Sequence, residues 1–152
     1  MPEFVKPEIS ELSFVKKMLG NEHTMDWLGH TISFEKEHWS CFYRKYVDTD
    51  PKENFFRLIW CPGCNDFVGA AAYVHNRETG RHDLKLLIDS SRRFCGYGRW
   101  ALNALKSAAR ENGISALACR VRKDNTAWDF LEEYGFSREK EDDSFCFEIC
   151  HL

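Results

Sequence analysis

Apolar positions along the chain follow two periods. Leu12, Val15 and Leu19 recur at helical spacing, which predicts a helix over residues 9–19 that stops at Gly20. Trp39, Phe42, Tyr43 and Tyr46 fall at i, i+3, i+4 and i+7 and predict a second helix over 33–46, its aromatic stripe turned to the core. The period then shortens. Residues 55–60 and 67–74 are apolar runs flanking a Pro-Gly turn and read as a hairpin. A turn over 76–80 leads to a third strand over 83–88. Helical spacing returns over 98–112, with Leu102, Leu105 and Ala109 on one face and Gly113 as the stop. A strand over 116–121 follows, and Asp124 or Asn125 caps a short helix carrying Ala127, Phe130, Leu131 and Tyr134 on one face. Gly135 closes it. Residues 139–143 read as a solvated charge run at a turn, and 144–151 as the last strand.

This order predicts an α/β fold: a mixed sheet with helices on its faces, antiparallel at first and parallel after the crossover that follows Ile88. No repeat or linker divides residues 1–152, so a single domain is expected, and 152 residues suffice for a core without staples. The net charge of −3 argues against a nucleic-acid binder, which would carry a broad basic surface. The N-terminus has no basic head followed by an apolar run, and no apolar stretch could span a bilayer, so neither a signal peptide nor a membrane partner is expected. Seven cysteines, an odd number without an export signal, read as reduced thiols in a cytoplasmic protein.

The segment that carries chemistry runs over 89–101. It leaves an apolar strand, passes Arg92 and Arg93, then Gly96-Tyr97-Gly98, and enters a helix. Glycines admit positive φ and close backbone approach, and a helix start presents unpaired N–H groups with a positive dipole end. The combination suits a phosphate or pyrophosphate, although the same glycines could simply ease a helix-opening turn. Residues 96–101 also match the dinucleotide pattern G-x-G-x-x-A, but the first glycine should then follow its strand directly. Here Asp89 to Cys95 intervene.

Arg93-Phe94-Cys95-Gly96-Tyr97-Gly98 fits R/Q-x-x-G-x-G/A. In its place between a central strand and a long helix, this resembles the acetyl-CoA signature of the GNAT N-acetyltransferases. Residues 83–98 resemble that family's acidic-apolar strand, turn, arginine and glycines. Residues 121–136 resemble its later motif, a polar residue opening a helix that ends in Gly-Phe. The resemblance covers about 55–150 and, more loosely, the two N-terminal helices. It implies a GNAT-like fold: a six- to seven-stranded mixed sheet with about four helices, acetyl-CoA as co-substrate, no metal, and a small-molecule or peptide amine as acceptor. A homodimer is also compatible with it.

By position, Leu86, Leu87 and Ile88 would pair with the pantetheine arm. Amides of Phe94, Cys95, Gly96, Tyr97, Gly98 and Arg99 would hold the pyrophosphate, with Arg93 adding charge. Counting back from Gly135-Phe136, the family's alanine falls on Ala127 and its pantetheine-contacting asparagine on Asp124, with Asn125 one residue late. The position that often holds a tyrosine acid is Leu131, which cannot donate a proton. Tyr134, one turn on, is the candidate acid, with water or no acid as alternatives. Asp83 occupies the strand position where many relatives carry a glutamate base. His23, Asp26, Trp27 and His30 lie in the connector that in relatives walls the acceptor site.

Two other readings remain open. A non-catalytic acyl-CoA sensor of the same family is favoured by Leu131. Cys61-Pro62-Gly63-Cys64 could serve a thiol or zinc protein, but it occupies a strand turn, and Cys146, Cys150 and His151 are the only clustered further ligands.

Overall fold

The computed structural model describes residues 1–152, except the side chain of Ala127. Seven strands form one sheet in the order β1-β2-β3-β4-β5-β7-β6. They are β1 (Glu3–Val5), β2 (Asn54–Cys61), β3 (Asp66–Asn76), β4 (Arg81–Ile88), β5 (Ala116–Arg122), β6 (Ser137–Glu141) and β7 (Phe145–His151). All neighbours are antiparallel except β4 and β5. The α-helices are α1 (Leu12–Leu19), α2 (Trp39–Phe42) and α3 (Tyr97–Glu111), and Thr126–Tyr134 forms a 3-10 segment.

The alternation of the strands sorts the apolar side chains into two cores. On one face Phe55, Ile59, Tyr73, Leu84, Leu117 and Leu131 pack against Leu102, Leu105 and Ala109 of α3. On the other, Phe56, Leu58, Ala70 and Ala72 meet Leu12, Val15 and Met18 of α1 and Trp39 of α2. The aromatic stripe is core as expected: Phe42 meets Phe56 edge-on at 5.2 Å between ring centroids and Tyr46 at 4.9 Å.

Three expectations need correction. The second helix is not a uniform α-helix over 33–46. It begins as a 3-10 turn at Lys36–His38 and ends as a π turn at Tyr43–Val47, where the Asp48 amide bonds back to the Tyr43 carbonyl at 2.8 Å. The late helix is a 3-10 segment throughout. The supposed charge run at a turn is largely edge strand β6, exposed at every residue and held only by β7.

Gly69 shows how tightly β3 and β4 meet. It pairs with Ile88, and a Cβ there would lie 2.5 Å from the Leu87 carbonyl oxygen and 2.9 Å from Ile88 Cδ1. Backbone cannot rotate away as a side chain can. Gly69→Ala should therefore cost about 3 kcal/mol, the upper range of overpacking, read as a lower urea midpoint at unchanged slope.

Candidate active site

The parallel pair is short. β4 and β5 are in register only at His82 with Leu117 and Asp83 with Ala118. Beyond that rung the strands part. Leu84 to Ile88 keep their partners on β3 but have no ladder partner on the β5 side among the described residues. Unpaired edge groups inside a sheet seek partners, so this wedge beside central strand β4 invites an extended ligand that can act as a false strand. Leu86, Leu87 and Ile88 stand on its β4 side.

At the open end the chain turns into α3 through a strained loop. Phe94 has φ 63° and Gly96 φ 84°, both in the left-handed region. Among the described residues, no internal acceptor meets the amides of Phe94, Cys95, Gly96, Tyr97, Gly98 or Arg99; the first helical bond in this stretch runs from Trp100 N to Gly96 O at 3.1 Å. A Cβ at Gly98 would meet nothing within 4 Å, so the space facing that backbone is open. Free amides, the dipole of a 15-residue helix and an open approach together form an anion cradle at the mouth of the wedge. The chain's own residues fit a pyrophosphate-bearing thioester carrier.

Other candidate residues take up different positions. Asp83 stands at the last rung before the strands part, half-buried, and its Oδ2 accepts from Asn76 Nδ2 at 3.1 Å. His82, its neighbour, bonds through Nε2 to the Lys52 carbonyl at 2.8 Å and stacks edge-on against Tyr73, on the opposite face. Leu131 is 2% exposed within the core under α3. Tyr134 is half-buried, with its ring edge-on to Phe130 at 5.8 Å and its carbonyl accepting from Lys106 Nζ. Asp124 is ion-paired to Arg122 at 3.0 Å. The Asn125 amide bonds to the Arg122 carbonyl at 3.0 Å, and Asn125 lines a cavity of about 230 Å³ with Val121, Arg122, Trp128 and Glu148. The side chain of Ala127 lies outside the described residues.

The connector spans the mouth of the wedge, a feature without a local sequence signal. On the β4 side the buried Thr24 hydroxyl donates to Ser90 Oγ at 3.2 Å and accepts from the Ser90 amide at 3.1 Å. Arg93 reaches the same segment, with Nη1 3.2 Å from Asp26 and Nη2 donating to the Thr24 carbonyl at 2.7 Å. On the β5 side Arg122 Nη1 donates to the carbonyls of Trp27 at 3.2 Å and Leu28 at 3.4 Å. Arg93 and Asp26, assigned separately to cofactor and acceptor, are thus each other's partners. His23, Trp27 and His30 remain exposed on this strap, with His30 Nδ1 against the Thr31 carbonyl at 3.0 Å. A shallow hollow of about 590 Å³ near Lys45 and His75 lies at the other end of β4 from the glycine turn.

The sequence matches the model of the acetyltransferase (GNAT) family over residues 21–136. The chain belongs to the GNAT acetyltransferase family. It is an acetyl-CoA-dependent N-acetyltransferase by that membership. Solved structures share the fold. A GNAT-family acetyltransferase from Streptococcus pneumoniae superposes with a TM-score of 0.82 at 15% identity, covering 100% of both chains. Spermidine N-acetyltransferase from Vibrio cholerae, in complex with CoA and spermine, gives 0.80 at 15% identity over 99% of this chain and 95% of its own. PaiA N-acetyltransferase from Thermoplasma acidophilum, in complex with coenzyme A, gives 0.72 at 14% identity over 100% and 99%. No curated protein matches the sequence. Among the described residues, no helix is long and apolar enough to cross a membrane.

Proposed function

We propose that this GNAT acetyltransferase passes the acetyl group of acetyl-CoA directly to a primary amine of a small molecule or peptide. The observation that carries the reading is the wedge between β4 and β5 with free amides at its mouth. The pantetheine arm pairs with Leu86 to Ile88, the pyrophosphate lies on the amides of residues 94–99, and Asp124 and Asn125 contribute from the segment that follows β5. The thioester then sits near Asp83 at the apex, and strand amides polarise its carbonyl.

The amine nitrogen attacks the carbonyl carbon, the C–S bond breaks, and CoA leaves as the thiolate. An alkylamine with a pKa near about 10.4 is mostly protonated at pH 7, so a proton must first be removed. Asp83 receives it. With Leu131 buried in the core, the departing thiolate takes its proton from water or from Tyr134. The strap carrying His23, Asp26, Trp27 and His30 faces the acceptor. The spermine bound in the Vibrio enzyme supports a small amine as acceptor class.

The test is twofold. CoA should raise the thermal midpoint of the chain, and a panel of small amines and peptides should elicit CoA release above slow hydrolysis. Stabilisation without amine-dependent release identifies the acyl-CoA sensor; no stabilisation removes the CoA reading.

A further inference from the structure

The Cys61-Pro62-Gly63-Cys64 turn has no part in acetyl transfer, yet its two sulfurs are held together. The Cys64 amide bonds to the Cys61 carbonyl at 3.2 Å, closing a tight turn. Residues i and i+3 of such a turn lie within about 7 Å, which overlaps the span of about 4.4–6.8 Å that a disulfide requires. The Tyr97 hydroxyl donates to Cys61 Sγ at 3.1 Å and lies 3.5 Å from Cys64 Sγ, so one oxygen holds both sulfurs on the same side of the turn. Tyr97 is the first residue of α3, so this contact also ties the turn to the helix start.

The pair is asymmetric. Cys64 is exposed and Cys61 buried. The Tyr97 hydroxyl donates to the Cys61 sulfur and, with the neighbouring Cys64 thiol and the amides of Gly63 and Cys64 favouring its charged form, holds its pKa down at about 7. Buried Cys119 shows the opposite effect, with desolvation pushing its thiol up to about 12. One sulfur of the pair is therefore accessible and the other stabilised as a thiolate beside it.

We propose that Cys61 and Cys64 form a redox-active dithiol that closes to a disulfide by exchange with a low-molecular-weight disulfide of the glutathione type. The exposed Cys64 sulfur bonds to one sulfur of the small disulfide; the other leaves and takes up the Cys64 proton. Cys61 sulfur then displaces the second small thiol from Cys64, and the Cys61 proton departs with it. The chain loses two electrons and two protons, and the small disulfide becomes two thiols. Closure leaves Tyr97 facing a neutral disulfide sulfur, a poorer acceptor, and loosens the tie between the turn and α3.

Glutathione disulfide is the probe, added to the reduced chain without CoA or amine, so the result is independent of the acetyltransfer reading. Peptide mapping should find a Cys61–Cys64 bridge and no glutathione on Cys64. Cys61→Ser should instead retain glutathione on Cys64. The exposed Cys41 and Cys95 serve as internal references. Tyr97→Phe should slow the second exchange, displacement of glutathione from Cys64 by the Cys61 sulfur, about three- to tenfold at pH 7 in quenched samples, since a higher thiol pKa lowers the thiolate fraction more than it gains nucleophilicity. A stable glutathione adduct on Cys64 of the unsubstituted chain overturns the proposal. So does a pair that stays reduced while Cys41 and Cys95 react.

Discussion

Gly98→Val is expected to weaken CoA binding about a hundredfold or more while leaving the fold intact. Gly98 is the second residue of α3, its φ is ordinary for a helix, and an added Cβ would meet no protein atom within 4 Å. Valine is a better helix former than glycine, so stability should hold or rise slightly. What valine fills is the approach to the free amides. Charge-assisted hydrogen bonds contribute about 1.5–3 kcal/mol each, and a pyrophosphate displaced from two of them loses about 3–6 kcal/mol, hence two or more decades in Kd. Gly96→Val mixes two effects, because φ 84° already costs an L-residue about 1–2 kcal/mol. The clean measurement is therefore calorimetric titration of the Gly98 variant, checked against its urea midpoint. An unchanged Kd with an unchanged midpoint would mean that the cradle does not hold the diphosphate.

Where local pattern and tertiary burial agree, the chain is legible. Leu102, Leu105 and Ala109, the positions that predict the long helix, are fully buried under the sheet. The runs of β2 and β3 announce themselves because one or both of their faces are covered. β6 could not be read this way: its residues are all exposed, so Ser-Arg-Glu-Lys-Glu carries no apolar alternation. β1 has only three residues, too few to show a period.

The site divides along similar lines. The glycine turn is local chemistry and stands out at once. The strap is not local: Arg93 finds Asp26 across 67 residues and Arg122 finds the Trp27 carbonyl across 95. Likewise the contact of Tyr97 with Cys61 joins two motifs 36 residues apart that read as unrelated in the sequence. Such pairs exist only once the sheet has placed its strand ends together. An arginine before a glycine turn looks like a phosphate ligand whether or not an aspartate already holds it.

Asp83→Asn is expected to lower kcat about 10²- to 10⁴-fold, the usual contribution of a positioned base, with little change in the KM for acetyl-CoA. The substitution is nearly isosteric, and the new amide oxygen can still accept from Asn76 Nδ2 as Oδ2 does at 3.1 Å. The rung with Ala118 is made by backbone and should persist. Any loss therefore reports on proton transfer rather than on collapse of the wedge apex. The pH dependence makes the assignment sharper. If Asp83 receives the amine's proton, the acid limb of kcat/KM flattens in the asparagine variant. If the amine loses its proton to solvent before binding, that limb belongs to the acceptor and survives the substitution unchanged. An intact acid limb together with a near-normal kcat removes Asp83 from the mechanism, while the β4–β5 wedge and its anion cradle stand on their own geometry.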